Sequence, residues 1–155
     1  MILFYLIALA VVALDRATKW LVIRHIPLGH EVPVIGQWAV FTHIKNTGAA
    51  FGLFPGSVVP LIIVSLLASV IVLVMAQRAR HLPGRLVPLG LILGGAIGNL
   101  IDRIAHGKVT DFILVGIPNG SRFPVFNVAD SAISVGVALL VWLQLFQKSP
   151  EKLHD

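Results

Sequence analysis

The run SVVPLIIVSLLASVIVLVMA, residues 57–76, contains no charged side chain. A helix needs about 20 apolar residues to cross roughly 30 Å of hydrocarbon. A helix apolar on every face belongs in a membrane or in the centre of a large protein, and a chain of 155 residues has no such centre. The whole composition agrees: 57% of residues are hydrophobic and 12% charged, where a soluble domain carries about a quarter charged. Mean hydropathy is +0.91. Three further apolar runs, approximately 2–23, 86–105 and 129–146, approach the same length. The expected fold is an all-α integral membrane protein with four transmembrane helices, forming a single membrane domain over residues 1–155.

The first run contains Ala8-Leu9-Ala10, which fits a signal cleavage site on paper. It has no basic segment before it and too short an apolar stretch, so a retained helix is expected. Orientation follows from basic residues in short loops. QRARHLPGR (77–85) holds Arg78, Arg80 and Arg85, and the tail adds Lys148 and Lys152. The long loops 24–56 and 106–128 hold only Arg24, Lys45, Lys108 and Arg122. Both termini are therefore expected in the cytoplasm, with the two long loops outside. The net charge of +5 then reflects inside anchoring; no basic stripe interleaved with aromatics points to nucleic acid. The absence of cysteine excludes a thiol nucleophile, a disulfide and a Cys-based metal site.

In the first long loop, EVPVIGQWAVFTHIKN (31–46) has β-branched and aromatic runs split by Gly36, which predicts a small strand pair. Trp20 and Trp38 suit the interfacial belt. Gly107 ends the third helix, and VTDFILV (109–115) alternates like a short strand. Pro83-Gly84 separates helices two and three. No internal repeat or low-complexity segment is present.

Gly90, Gly94 and Gly98 recur every fourth residue, a small-residue row that lets another helix approach closely in lipid. Beside it runs a row of Gly95, Asn99 and Asp102, with Arg103 one turn beyond Asn99. Polar groups at such depth face the protein interior, because lipid offers no hydrogen-bond partner. Asp15 and Lys19, four apart, share a helix face; alone they read as a neutralised pair at the lipid edge, with Lys19 snorkelling. An Asp102–Arg103 pair is the simplest partner for that arginine. Asp130, taken singly, reads as a helix cap.

Only seven carboxylates exist. Glu31 lies in a loop, Glu151 and Asp155 in the tail; Asp15, Asp102, Asp111 and Asp130 all map to the outer ends of helices one, three and four. Four acids at one membrane depth suggest a site, and intramembrane ionisable groups point to function. Ser65 and Ser69 have no base in the uncharged second helix, His43 and His106 have no recognisable nucleophile, and no H-E-x-x-H zinc motif occurs. Carboxylate chemistry remains: two Asp held close share one proton, so one activates water while the other donates to a carbonyl.

Four blocks then resemble one family: DRATK (15–19), NTGAAFGLF (46–54), GGAIGNLIDRIAHGKVTDFI (94–113) and FNVADSAI (126–133). In this order they are similar to the bacterial lipoprotein signal peptidases, or signal peptidase II, over nearly the whole chain. The resemblance implies a multi-pass aspartyl endopeptidase of the bacterial inner (cytoplasmic) membrane, with a β-rich periplasmic cradle and an active site near the periplasmic face. Its catalytic pair corresponds to Asp111 and Asp130, and its substrates are prolipoproteins cut on the amino side of a diacylglyceryl-modified cysteine. Asp15, Lys19, Asn46, Gly48, Asn99, Asp102, Arg103, Asn127 and Ala129 match its supporting or substrate-binding positions. Asn99 and Asn127 suit orienting a carboxylate or a peptide, small Ala129 leaves room beside Asp130, and Phe51 and Phe54 provide a cover. The family is the target of globomycin-type cyclic peptide antibiotics. Partners expected are lipidated substrate and membrane lipid, with no metal, no organic cofactor and no nucleic acid, and the chain acting as a monomer. One departure is the amino terminus, where the basic residues common in the family are missing.

Two other readings remain open on the residues alone. A proton-coupled carrier uses intramembrane Asp residues but needs polar groups along a whole path. An assembly factor uses the glycine row for docking and tolerates loss of either Asp111 or Asp130.

Overall fold

The computed structural model describes residues 1–48, 56 and 58–146. Four helices and three strands follow in the order α1 (Ile2–His25), β1 (Glu31–Ile35), β2 (Ala39–Asn46), α2 (Val58–Arg78), α3 (Pro83–His106), β3 (Val109–Val115) and α4 (Val128–Phe146). α2, α3 and α4 are each long and apolar enough to cross a membrane. α1 has 24 residues and carries Asp15, Arg16 and Lys19. The helix expected over 86–105 begins three residues earlier, at Pro83. Proline suits the first helical turn, where its missing N–H costs nothing and its φ is already helical, so Pro83 opens α3 at the break that follows α2.

α3 is the hub. It packs against α1, α4 and α2, while α2 packs chiefly on α3. The glycine row makes these contacts possible. A Cβ at Gly90 would meet the Phe4 carbonyl oxygen at 2.9 Å, and one at Gly94 would lie 2.6 Å from Val11 Cβ and 2.7 Å from the Ala8 carbonyl oxygen. Gly95 does the same for α4, against the Ala129 carbonyl and Ile133. In lipid, helices gain no hydrophobic drive toward each other, so backbone proximity and dispersion hold them. Gly94→Ala is therefore expected to cost about 1–3 kcal/mol, read as a lower thermal midpoint in detergent. Gly120→Ala, whose Cβ would sit an ordinary 3.4 Å from Ile117 Cβ, should leave the midpoint unchanged. Equal effects would mean that close helix approach is not what the row provides.

Phe4, Ala8, Leu86, Leu89, Leu93, Val72 and Ala76 form the apolar core at the end distant from the acids. At the other end lies an antiparallel sheet in the order β1-β2-β3, so the expected strand pair acquires β3 as a third strand. Gly36, at φ 52°, turns the chain between β1 and β2, a conformation glycine adopts without Cβ strain. Gly107, at φ 66°, caps α3 in the left-handed region, which sends the chain directly into β3. Val22, Ile26 and Phe112 seal the sheet against the end of α1.

Candidate active site

Asp111 sits mid-strand in β3 and Asp130 in the first turn of α4. The sheet register places Ile44 opposite Asp111. Asn46 lies two residues further along β2, the diagonal position within reach of a long side chain. Its Nδ2 donates to Asp111 Oδ2 at 2.9 Å. Asn127 Nδ2 donates to Asp111 Oδ1 at 2.7 Å, and Asn99 Nδ2 donates to Asp130 Oδ1 at 2.8 Å.

The orientation of each amide is forced by a group that can only donate. Gly48 N–H donates to Asn46 Oδ1 at 2.8 Å, Asp130 N–H to Asn127 Oδ1 at 2.9 Å, and Lys19 Nζ to Asn99 Oδ1 at 3.1 Å. With each oxygen engaged, each NH2 turns toward a carboxylate. Asn127 Nδ2 also reaches Asn99 Oδ1 at 3.2 Å, which joins the Asp111 and Asp130 branches into one network.

Asp130 does not cap α4 alone. Asn127 accepts from the Asp130 amide, and Asp130 Oδ2 accepts from Asn127 N–H at 3.4 Å, a reciprocal capping box. One Asp130 oxygen is thus used by the helix end and the other by Asn99. Asp130 is half-buried, whereas Asp111 is buried. Burial pushes the Asp111 carboxyl up from 3.8 to about 6; the Asn46 amide opposes this and the neighbouring Asp130 charge adds to it.

A second cluster lies directly behind. Lys19 Nζ bridges Asp15 Oδ2 at 2.8 Å and Asp102 Oδ2 at 2.9 Å. Lys19 and Asp15 have no exposed surface, so Lys19 does not snorkel: its ammonium points inward, between two carboxylates and Asn99. Asp15 Oδ1 also accepts from Ala129 N–H at 3.1 Å, and Gly98 leaves the space that Asp15 Oδ2 fills, 2.8 Å from where a Cβ would be. Thr110 N–H donates to Asp102 Oδ2 at 3.4 Å.

Two expectations are corrected here. Asp102 pairs with Arg16, across the α1–α3 contact, and not with Arg103. Consecutive helical residues point about 100° apart and do not face each other. Arg103 instead donates to the Gly48 carbonyl at 3.3 Å, at the start of the 46–54 block. Ala129 is small because it is fully buried against Gly95 and Gly98; its size serves the α3–α4 contact rather than space beside Asp130. Arg16 was given no role by its sequence setting. It stands next to Asp15, and only the packing of α1 on α3 brings it to Asp102. The cover expected of Phe51 and Phe54 lies outside the described residues. Ser65 and Ser69 bond back to the Leu61 and Ser65 carbonyls within their own helix. Among the described residues no group of three or more His, Asp or Glu is placed to hold a metal ion.

Residues 7–146 match the family described as Signal peptidase (SPase) II. The chain belongs to the signal peptidase II family. It is accordingly a protease of a membrane-enzyme family. It is 45% identical to the lipoprotein signal peptidase of Geobacillus thermodenitrificans, covering 99% of this chain and 96% of that one. It is 42% identical to the lipoprotein signal peptidase of Bacillus subtilis, covering 99% of each. A bacterial membrane enzyme solved by the in meso method superposes with a TM-score of 0.88 at 32% identity, covering 98% of this chain and 93% of that one. Signal peptidase II membership agrees with the resemblance carried by the four sequence blocks, whose polar residues meet at one end of the helices.

Proposed function

We propose that Asp111 and Asp130 are the catalytic pair of an intramembrane aspartyl endopeptidase that removes the signal peptide from diacylglyceryl-modified prolipoproteins, on the amino side of the lipidated cysteine. One observation carries the reading: three side-chain amides, each locked by an obligate donor, converge on two carboxylates from separate segments. Such an arrangement fixes the two carboxyl groups, while burial and the neighbouring Asp130 charge favour a proton on Asp111, so the pair carries one proton. Water lies between substrate and pair; the ionised carboxylate takes its proton as the oxygen attacks the peptide carbonyl, and the protonated carboxyl donates to the carbonyl oxygen. Collapse of the resulting diol breaks the C–N bond. The proton first taken from water passes to the leaving amine, and a diol hydroxyl returns its proton to the carboxylate that had donated, which restores the pair.

In this reading Asn46, Asn99 and Asn127 position the pair, Asp15, Lys19 and Asp102 brace it from behind, and Arg103 with Gly48 holds the entrance to the 46–54 block. α1 spans the bacterial inner membrane with the other three helices. Both termini are cytoplasmic, and the sheet lies at the periplasmic face, where a lipidated substrate presents its scissile bond while its acyl chains stay in the bilayer. A globomycin-type cyclic peptide would compete for the same carboxylates, and the chain works as a monomer. The carrier reading fails on α2, whose interior offers only Ser65 and Ser69, both bonded to their own helix.

The pH dependence has a defined sign. Asp111 releases its proton at about 6, and one proton must remain on the pair. Free-enzyme kcat/KM is expected to fall as pH rises through and beyond about 6. The Asn46 amide favours the ionised form of Asp111, so Asn46→Ala should move this alkaline limb upward. A limb that stays put or moves down would remove Asp111 from the titration. Purified enzyme in detergent, given lipidated and unlipidated precursor side by side, tests substrate choice: only the lipidated form should be cut efficiently, and equal cutting would overturn the assignment.

A further inference from the structure

At the end of the helices opposite the carboxylates, a cavity of about 400 Å³ opens between α2, α3 and α4. Its size falls within the roughly 300–1,000 Å³ range of small-molecule sites. Its walls are apolar, from Met75, Ala79, Leu82, Leu89, Leu140 and Val141, and its polar lining is Arg78, Arg85 and Gln144. Neither arginine makes an ion pair among the described residues. No described carboxylate stands at this end, since Asp15, Asp102, Asp111 and Asp130 gather at the other and Glu31 lies on the sheet. Arg85 is half-buried, and Leu82, the residue before α3, supplies no side-chain cap for the helix. α3 also has no acid in its first turn. Its positive dipole end therefore adds to the two guanidiniums instead of being offset.

Cationic groups joined to an apolar cleft between helices match one kind of molecule: a phosphate carrying hydrocarbon. We propose that this cavity binds one anionic phospholipid, its phosphate held by Arg78 and Arg85 and an acyl chain laid along Met75, Leu140 and Val141. Basic pockets between transmembrane helices on the cytoplasmic side bind anionic headgroups in this way. The bound lipid fills the gap between α2 and α4, two helices that each pack on α3, and so fastens α2 to the bundle. The site is separate from the proposed dyad and does not depend on it.

Arg80 supplies the control. It carries the same charge two residues from Arg78 but hydrogen-bonds His81, with Nε 2.9 Å from Nε2, and does not line the cavity. The full-length enzyme in neutral detergent is titrated with short-chain phosphatidylglycerol, with phosphatidylcholine of the same chain length, and with inorganic phosphate. Binding is followed by native mass spectrometry and by the thermal midpoint. Phosphatidylglycerol alone should bind at one equivalent and raise the midpoint. A guanidinium at an anionic headgroup is worth about fivefold in affinity, so Arg78→Gln with Arg85→Gln should weaken binding about 25-fold. Arg80→Gln should leave binding unchanged, and Val141→Trp should weaken it without altering charge. Cleavage of lipidated precursor should persist in the double variant, since neither arginine belongs to the peptidase site. Equal binding of phosphatidylcholine, an equal midpoint rise with phosphate alone, or an equal loss in Arg80→Gln would overturn the proposal.

Discussion

Asp111→Asn and Asp130→Asn are each expected to stop precursor cleavage, with kcat/KM lower by at least about 10³-fold, while the protein still inserts and purifies. Positioned acid–base groups contribute about 10²–10⁴-fold each, and the two members of a pair act as one unit, so neither retains half the activity. Stability should separate chemistry from structure. Raising Asp111 from 3.8 to about 6 corresponds to about 3 kcal/mol of folding free energy withheld once the group ionises. The sign follows from the raised value: the burial costs nothing while the carboxyl is protonated, and stability is lost as pH climbs through about 6. Asparagine escapes that cost, but it must turn an NH2 toward either Asn46 Nδ2 or Asn127 Nδ2, both of which donate to Asp111. An unpaired buried donor costs about 1–3 kcal/mol. The two effects nearly cancel, so Asp111→Asn should melt within a few degrees of the parent at pH 7 and gain relative stability as pH rises from 3.8 to about 6, with no further gain above that. Retained turnover in either variant would exclude the dyad; an unfolded Asp111→Asn would show that the carboxylate is structural.

The fold was legible wherever local chemistry decides. Four helical runs, the alternation of 109–115 and Gly107 as a stop were all readable because hydrophobic period and left-handed glycine act within a few residues. Gathering Asp15, Asp102, Asp111 and Asp130 at one end was readable too, because helix polarity alone fixes which end each occupies. The wiring was not. Asp102 sits beside Arg103 in the chain, yet its cations are Lys19 and Arg16, the latter 86 positions away. Side-chain direction on α3 and the close α1 contact allowed by Gly90, Gly94 and Gly98 determine that pairing, and no spacing in the sequence encodes it. Lys19 was misjudged for a related reason. A lysine near a helix end usually reaches for water, and only the positions of Asp102 and Asn99 on a different helix turn it inward.

That inward turn gives Lys19→Met the second large effect. Removing the ammonium leaves Asp15 and Asp102 buried next to one another with one cation, Arg16, at Asp102 alone. Breaking a buried ion pair by deleting one partner costs about 3–5 kcal/mol, so the thermal midpoint should fall sharply. Adding Asp15→Asn should recover part of the loss, because the stranded charge disappears while Asp102 keeps Arg16. The coupling between the two substitutions is therefore favourable, by about 0.5–3 kcal/mol; additive losses would mean that Lys19 acts by packing. Activity should drop further than folding explains. Lys19 Nζ is the charged donor at Asn99 Oδ1, and without it only Asn127 Nδ2, at 3.2 Å, still turns Asn99 Nδ2 toward Asp130. In the Lys19→Met, Asp15→Asn double variant, stability should thus return ahead of kcat. The lysine in this way links the buried Asp15–Asp102 cluster, through Asn99, to the Asp130 carboxyl.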